Sequence, residues 1–531
     1  MTETTGQELD ALSIEYVTPV SIPYWMNILR GKTMSEQEQN ISAVVHNIRA
    51  AKRTVGTVKT TLGPMGMDKM MVDAGGNVIV TNDGATILQE LDASHPAAKM
   101  VVEAANTQES MCYDGTTSTV VLAGELLGNS ELLFNKGLHA NVICRGYRQA
   151  SRWTTEHLET LKVDAKDHLQ NVAKTSITGK ALESSIEHVS ALCVEAVEKA
   201  GGEFDRIRVL CQPGSSLDDS SCFSGVVLHK EFMLPAMPMK PNGKALLINT
   251  SLSDSKSDDN VQLSLGSAAE YQQYKRQTGR DNWVEKAQQI ISMLPDGGIV
   301  FVRDSVNEVV AATLAKQGIS LVHRVPESDM TALSKLLNTT IAHTTEDLQE
   351  AVECDAECKT IGDMKYVVVK GEGEVTTLIL RGATKQTLDE TERGFEDALG
   401  VVCLAYTTLG VVPGGGSAYL NAALHLRQRA AEAGGREQMA IDAFAEALES
   451  IPATIAENAG HDPLDTVLTL RNEHQQGNSD AGPDIENGGA CSMIEANVWE
   501  PLDLVKQAVQ SASEVTISIL RIDDIVVKRG E

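Results

Sequence analysis

The sequence lacks the features that would place it in or on a membrane. It has no run of about 18 uninterrupted apolar residues, which is what a membrane-spanning helix needs. Its first residues are polar and acidic, without the basic stretch and apolar run of a secretory signal. Basic residues are also scarce, since 45 Lys and Arg stand against 73 Asp and Glu for a net charge of -28. Nucleic acids and anionic membranes attract basic surfaces, so we expect neither as a partner. An ordinary acidic surface and a salty cytoplasm both account for the surplus.

The nine cysteines form no disulfide framework. Cys354 and Cys358 are the only close pair, and no second pair or histidine cluster completes a zinc site. We therefore expect reduced thiols in a cytoplasmic compartment, with metal ligation by this pair as the alternative.

The pattern of apolar residues divides the chain into helical, mixed and helical regions. At 531 residues the chain is too long for one compact core. Apolar residues recur at spacings of three and four from Ile48 to Leu62, which predicts a helix that Gly63-Pro64 ends. A strand is predicted over 77–81, and further helices over 97–110 and 116–134.

The middle region alternates short apolar strands with helical segments. Strands are predicted at 245–248, 299–302 and 319–322 with a helix over 306–317, which is typical of a parallel α/β layer. The apolar runs at 366–369 and 377–380 flank a Gly-Glu-Gly-Glu sequence, which predicts a hairpin. From Asp397 onward the pattern is again mainly helical.

Two glycine-containing turns have the composition of anion sites. The turn at 60–66 follows a helix and exposes backbone groups, although a simple helix stop explains it equally well. Asp114-Gly115 precedes four hydroxyl residues that open an apolar helix, and a helix N-terminus favours phosphate. An adjacent carboxylate suits magnesium, while ordinary helix capping is the bland alternative. Neither turn is a Walker loop.

Three more features are ambiguous by themselves. Asp83 follows the predicted strand on a turn, and Asp397 lies on a helix among apolar neighbours. Lone aspartates are usually caps or solvated charges. Gly414-Gly415-Gly416 at a helix start permits close backbone approach.

Taken in order, the motifs along the chain resemble the group II chaperonins, which are the archaeal thermosomes and their eukaryotic cytosolic relatives. The similarity runs from about Met26 to Asp524, nearly the whole chain. The matching motifs are T-T-L-G-P-x-G-M-D-K-M, T-N-D-G-A-T-I-L, H-P-A-A-K-M, D-G-T-T, L-A-G-E-L-L, T-S-I-T-G-K, L-R-G-A-T, E-D-A-L, G-G-G, N-A-G-H-D-P, E-P and I-L-R-I-D-D.

The resemblance implies an ATPase that uses ATP and Mg²⁺. Asp114 would bind magnesium, and Asp83 and Asp397 would orient and activate the attacking water. Other residues would contact the nucleotide or sense its terminal phosphate, namely Thr61, Leu62, Gly63, Pro64, Gly115, Thr116, Thr117, Ser118, Lys180, Gly415, Gly482, Ile485 and Glu500.

The implied fold is a multi-domain α and α/β chaperonin fold. A mainly helical equatorial ATP-binding domain, a small α/β intermediate hinge domain and an α/β apical substrate-binding domain would be nested along the chain. Their expected limits are 1–150 with 402–531, 151–216 with 369–401, and 217–368, with a helical lid protrusion at about 251–290. Apolar residues of this insert would contact unfolded substrate or neighbouring subunits, or pack onto the apical domain itself, namely Leu263, Leu265, Tyr271, Tyr274 and Trp283.

The implied function is ATP-driven encapsulation and folding of non-native polypeptides. Identical or paralogous subunits would form a cytoplasmic double ring. The alternative is a divergent ring subunit with weak ATPase activity and an assembly or scaffolding role.

Departures from the family pattern lie near the expected site. Met65 replaces a basic residue, and Tyr113 stands where the family has glycine, which often marks a positive φ. The segment at 30–42 is longer than the family pattern, and Gly394 and Phe395 replace residues that are usually polar. Because all the carboxylates remain, we expect hydrolysis to survive, at a rate that these departures can change.

Overall fold

The fold was analysed in a computed structural model. It describes residues 43–523, except 73, 74, 77, 92, 181, 254–266, 268–279, 362, 363, 383 and 384. The described α-helices, in chain order from α1 to α15, are Ala43–Val58, Gly84–Glu90, Pro96–Cys112, Thr116–Asn135, Ala140–Leu158, Leu169–Ile177, Ile186–Lys199, Arg280–Met293, Glu308–Lys316, Glu327–Leu337, Lys385–Thr408, Ser417–Ala433, Gly435–Asn458, Pro463–Gln475 and Leu502–Leu520.

Short strands connect and flank these helices. The described strands, from β1 to β16, are Lys69–Val72, Val78–Thr81, Ile207–Pro213, Ser221–Ser224, Val226–Leu228, Lys244–Ile248, Gly298–Val302, Ile319–Val322, Val352–Glu353, Asp355–Ile361, Met364–Lys370, Thr376–Gly382, Val411–Pro413, Ala481–Pro483, Ala490–Ser492 and Trp499–Pro501. No described helix is both long and apolar enough to cross a bilayer.

Helices from the two ends of the chain share one hydrophobic core. The predicted stripe on α1 is buried through Ile48, Ala51, Val55 and Val58, because residues spaced by three and four lie on one helix face. This core continues through α4, α5, α13 and α15. Segments about 400 residues apart therefore pack side by side, which places the N-terminal turns next to the C-terminal strands.

The middle of the chain has a second core around a parallel sheet. Strands β6, β7 and β8 are parallel in the order β8-β7-β6, and β9 joins the edge antiparallel. The side chains of β7 and β8 are buried along their whole length, which is typical of a sheet covered on both faces. Helix α9 lies between β7 and β8 in the chain. The predicted parallel α/β layer is therefore confirmed.

The hairpin predicted from 366–369 and 377–380 is wrong. Strand β11 pairs with β10 and β5, whereas β12 pairs parallel with β3 and antiparallel with β4. The connecting turn instead packs on the end of α10, where the Gly373 N–H donates to the Leu336 carbonyl at 2.8 Å. A glycine-rich turn signals a change of direction, but distant strands decide the pairing.

The predicted insert at 251–290 falls mostly outside the described residues, as do Leu263, Leu265, Tyr271, Tyr274 and the segment 30–42. Trp283 is described on α8, where it is 7% exposed and packs in the second core. Its own α/β region therefore buries it. The prediction of helical regions around an α/β region is confirmed, and the exact domain limits remain a prediction.

Candidate functional site

A cavity of about 540 Å³ lies where segments from the N-terminal and C-terminal regions of the chain meet. Fourteen of the sixteen predicted site residues line it, and they come from segments near 61–64, 83, 114–118, 180, 415, 485 and 500. The two exceptions are Asp397, which reaches the wall through an ion pair, and Gly482. Ligand pockets of drug-sized or cofactor-sized molecules have volumes of about 300–1,000 Å³.

The turn after α1 forms one wall of the cavity. A single 3-10 turn, Lys59–Thr61, follows the helix, and Gly63 then takes a φ of 86° that favours glycine. The side-chain amide of Asn458, at the end of α13, donates to the Leu62 carbonyl at 2.8 Å and the Lys59 carbonyl at 3.1 Å. The C-terminal region therefore holds the turn in place.

The Asp114 turn lies in the cavity wall and immediately precedes α4. Gly115 precedes the helix with a φ of 79°. One carboxylate oxygen of Asp114 accepts from the Gly115 N–H at 2.7 Å, and the other accepts from the Ser176 hydroxyl at 2.9 Å. The carboxylate is thereby oriented beside the positive end of the helix dipole, where Thr116 and Thr117 also lie.

Asp83 is the N-cap of α2. Its carboxylate accepts from the Thr86 N–H at 2.8 Å and from the Ala85 N–H at 3.3 Å. The helix start packs closely on the Asp114 turn, because a Cβ atom added to Gly84 would lie 2.4 Å from the Thr117 hydroxyl oxygen. The capping alternative is thus correct for Asp83, and the same geometry places its carboxylate in the cavity wall.

Lys180 and Asp397 form an ion pair beside the cavity. The Lys180 Nζ lies 2.6 Å from the Asp397 Oδ2, and both side chains are mostly buried. Burial, with Asp114 and Asp83 nearby, raises the pKa of Asp397 to about 7, although Lys180 opposes the shift. Burial alone would lower the pKa of Lys180, but the surrounding carboxylates raise it above its usual range. The Lys180 ammonium thus lies within a cluster of carboxylates and opposes their negative charge.

Glu500 also lines the cavity. Strands β13 and β16 pair antiparallel, with Val412 opposite Glu500, and the Gly415 N–H donates to the Glu500 carboxylate at 3.1 Å. Burial and the charge of Asp114 raise the pKa of Glu500 to about 7. A buried carboxylate of this kind accepts hydrogen bonds from hydroxyl groups readily.

Ile485 lines the cavity, whereas Gly482 lies behind its wall. A Cβ atom added to Gly482 would lie 2.7 Å from the Met493 Cγ, and one added to Gly415 would lie 2.6 Å from the Met493 sulfur. The two glycines therefore pack against the same buried methionine. Of these two, only Gly415 lines the cavity.

The structure adds residues that the motifs do not single out. Tyr419 lines the cavity, and its buried hydroxyl has no hydrogen-bond partner among the described residues. Glu109 lies on α3, where burial and then Asp397, Asp83 and Asp114 raise its pKa to about 9. Glu109 precedes the Asp114 turn by about one helical turn, which is the one sequence signal that could have found it.

The substituted positions differ in how close they lie to the cavity. Met65 is 51% exposed and is not among the cavity residues. Phe395 is fully buried in the shared core, and Gly394 faces Leu182. Tyr113 adopts a left-handed conformation with a φ of 62°. The glycine of the family pattern at this position predicts such a positive φ.

The residues of the cavity fit a magnesium–nucleotide complex. Among the described residues, no group of three or more His, Cys, Asp or Glu side chains could hold a metal ion. Magnesium instead commonly uses one or two carboxylates together with phosphate and water ligands. Asp114 supplies such a carboxylate next to a helix N-terminus and Lys180, both of which favour phosphate. For Cys354 and Cys358 the described residues likewise offer no third ligand.

Comparison with known proteins identifies the class of protein that this fold and cavity define. The model of the TCP-1/cpn60 chaperonin family matches residues 55–530. The chain is 40% identical to a thermosome subunit of Methanopyrus kandleri over 508 residues, which cover 91% of each chain. It is 38% identical to the thermosome subunit alpha of Archaeoglobus fulgidus, over 91% of this chain and 92% of the relative. A thermosome subunit of Pyrococcus horikoshii is 39% identical over 90% of each chain. The chain therefore belongs to the TCP-1/cpn60 chaperonin family, as a group II chaperonin subunit.

Proposed function

We propose that this chaperonin subunit binds Mg-ATP in the cavity and hydrolyses it. The observation that carries the proposal is the meeting of three aspartates and a lysine at a glycine-rich helix start. Asp83, Asp114 and Asp397 with Lys180 come from four separate segments, yet their charges interact directly. A structural role would not require so many acidic groups to gather beside a cavity.

The walls of the cavity suit different parts of the nucleotide. The backbone N–H groups at the start of α4, the Thr61–Pro64 turn and Lys180 would hold the phosphates. Glu500 would accept from the ribose, and the apolar side chain of Ile485 would contact the adenine. Gly482 would act indirectly, by allowing Met493 to support Gly415.

Two carboxylates are suited to handle the attacking water. Magnesium held by Asp114 would neutralise charge on the phosphates. Asp83 and Asp397 would orient the water, and Asp397 would take its proton, because a pKa of about 7 suits a base near neutral pH. Lys180 would turn from Asp397 toward the terminal phosphate, which would free the carboxylate.

Substitution of Asp397 tests the ATPase. In purified protein, Asp397→Ala should lower kcat at least about 100-fold, because general-base catalysis contributes 10²–10⁴-fold, while nucleotide binding persists. The matched control is Glu308→Gln, an exposed carboxylate of the α/β region, which should leave kcat unchanged. Full activity of Asp397→Ala would refute the role of this residue.

We further propose that ATP hydrolysis drives a double ring of identical or paralogous subunits to enclose and fold non-native polypeptides in the cytoplasm. Movement of the proposed intermediate domain would carry Asp397 toward the equatorial cavity. The hairpin of β1 and β2 supports assembly. Its apolar side chains are unusually exposed, with Met70 at 70% and Val72 at 63%, and such a two-stranded edge favours pairing with another chain.

Assembly and folding are tested together on the purified protein. End-on electron micrographs should contain closed rings, and ATP should raise the yield of a chemically denatured enzyme refolded with those rings. A protein that stays monomeric with nucleotide would overturn the proposal. Rings that form but neither hydrolyse ATP nor assist refolding would support the alternative, a divergent scaffolding subunit with weak ATPase activity.

A further inference from the structure

Tyr113 ends α3 in a backbone conformation that a tyrosine rarely adopts. Its φ is 62° and its ψ is -6°, in the left-handed region that ordinarily favours glycine. The Tyr113 N–H donates to the Glu109 carbonyl at 2.8 Å and closes the helix. Asp114, the proposed magnesium ligand, follows immediately. A strained residue beside a functional site persists only where its surroundings hold it in place.

The ring of Tyr113 packs directly on the backbone of helix α11 at Gly400, where no side chain stands between them. A Cβ atom added to Gly400 would lie 2.0 Å from the Tyr113 Cγ and 2.5 Å from its Cδ1. No side chain can be added there without moving the ring or the helix. Glycine at position 400 therefore leaves the space that the tyrosine ring at position 113 occupies. On another side the ring contacts Phe204, with ring centroids 4.7 Å apart.

Gly400 lies about one helical turn from Asp397, the proposed catalytic base. Asp397 and Gly400 are three residues apart on α11, so they lie on neighbouring parts of one helix face. Asp397 pairs with Lys180 on that face. Tyr113 immediately precedes Asp114 in the chain. The ring therefore connects the residue next to the metal ligand with the helix that carries the base.

We propose that Tyr113 is a positioning residue, whose ring on Gly400 sets the distance between the Asp114 turn and the helix that carries Asp397. The inference rests on the proposed ATPase function and deepens it. The glycine that the turn lacks is found instead on the opposing helix, so the structure accommodates a bulky residue at position 113.

A double-substitution cycle tests the pairing of these two positions. Gly400→Ala should lower kcat at least tenfold with less than a threefold change in the KM for ATP, because the added methyl group displaces α11 and Asp397. In the Tyr113→Gly background the same Gly400→Ala change should alter kcat less than twofold, because the ring is absent. Tyr113→Phe should keep kcat within twofold, since the ring and not the hydroxyl contacts Gly400.

The control is Gly394→Ala on the same helix. Its Cβ atom would meet two flexible side chains and no ring, namely Leu182 at 3.0 Å and the Lys180 Cδ at 3.8 Å, and it does not touch Tyr113. Its effect on kcat should be equal in the Tyr113 and Tyr113→Gly backgrounds. Equal effects of Gly400→Ala in the two backgrounds would overturn the proposal, as would a normal kcat for the single Gly400→Ala protein.

Hydrogen exchange separates this inference from the proposed ATPase. In nucleotide-free protein, Gly400→Ala should speed amide exchange over 397–404, and addition of Tyr113→Gly should restore slow exchange. This result is expected even though alanine is ordinarily the better helix former. If the wild-type protein hydrolyses no ATP, the ATPase proposal fails and the positioning role falls with it. If ATP is hydrolysed but the exchange rates do not depend on residue 113, the positioning role alone fails.

Discussion

At the scale of single residues, the site is defined by carboxyl groups that are costly to bury. Asp397, Glu500 and Glu109 all have raised pKa values, with burial as the largest cause. A folded protein that gathers such groups is less stable at high pH than one without them. A cation bound between the groups would offset this cost, so ligand binding would then raise the stability of the protein.

Glu109 gives a direct test of that linkage. Because its folded pKa is raised from 4.5 to about 9, its favourable contribution is complete below about pH 4.5 and is lost as the pH rises to about 9. We expect Glu109→Gln to raise the free energy of unfolding of the nucleotide-free protein at pH 8.5 by on the order of a few kcal/mol, and its thermal midpoint with it, and to change both little at pH 5.

The control for this prediction lies on the same helix. Glu103 is exposed, so Glu103→Gln should leave the midpoint nearly unchanged at both pH values. A Glu109→Gln midpoint that follows the wild-type pH profile would contradict the proposed burial cost.

Tyr419 should show opposite effects on stability and on binding. Its hydroxyl is buried without a described partner in the cavity wall, so Tyr419→Phe should leave the thermal midpoint unchanged or raise it. If the hydroxyl contacts the nucleotide, the same change should weaken ATP binding roughly tenfold, the value of one hydrogen bond. Calorimetric titration with a non-hydrolysable ATP analogue measures this. Unchanged affinity would assign the hydroxyl no part in binding.

At the scale of elements, long-range contacts decide which helices and strands come together. Strands β11 and β12 are adjacent in sequence, yet they belong to different sheets. Helices α12, α13 and α14 are joined by Glu449, which is 3% exposed and contacts both Arg427 and Arg471. No local pattern predicts either arrangement, because the partners are far apart in the chain.

Removal of the carboxylate that joins these three helices should be strongly destabilising. Glu449→Ala leaves two arginines without their buried partner, which costs about 3 kcal/mol or more. Thermal unfolding followed by circular dichroism should detect a midpoint several degrees lower. Glu432→Ala removes an exposed partner of Arg429 and should cost less than about 1 kcal/mol. Equal thermal midpoints of the two variants would show that the buried ion pairs of Glu449 stabilise the protein no more than the exposed pair of Glu432.

At the scale of the whole molecule, the net charge of -28 opposes compaction. Salt shortens the screening length from about 10 Å at 0.1 M to about 3 Å at 1 M. We expect the thermal midpoint of the nucleotide-free protein to rise across this range of sodium chloride at pH 8. At pH 5 the gain should be smaller, because some carboxylates are then protonated. An equal gain at both pH values would assign the effect to salt hydration rather than to charge.

The sequence by itself determined the elements and the family. Apolar spacing located α1, α3 and α4 and the parallel strands, because periodicity is a local property of a buried face. The motifs located fourteen of the cavity residues, since glycine turns and helix starts carry their chemistry in a few adjacent positions.

Only the tertiary structure decided how those pieces meet. It separated β11 from β12, placed Gly482 against Met493, brought Tyr419 to the cavity and placed Glu109 near the aspartates. It also paired Tyr113 with Gly400, residues almost 300 positions apart. The physical reason is the same in each case. Steric fit and the interaction of charges depend on distance in space, and distance along the chain does not report it.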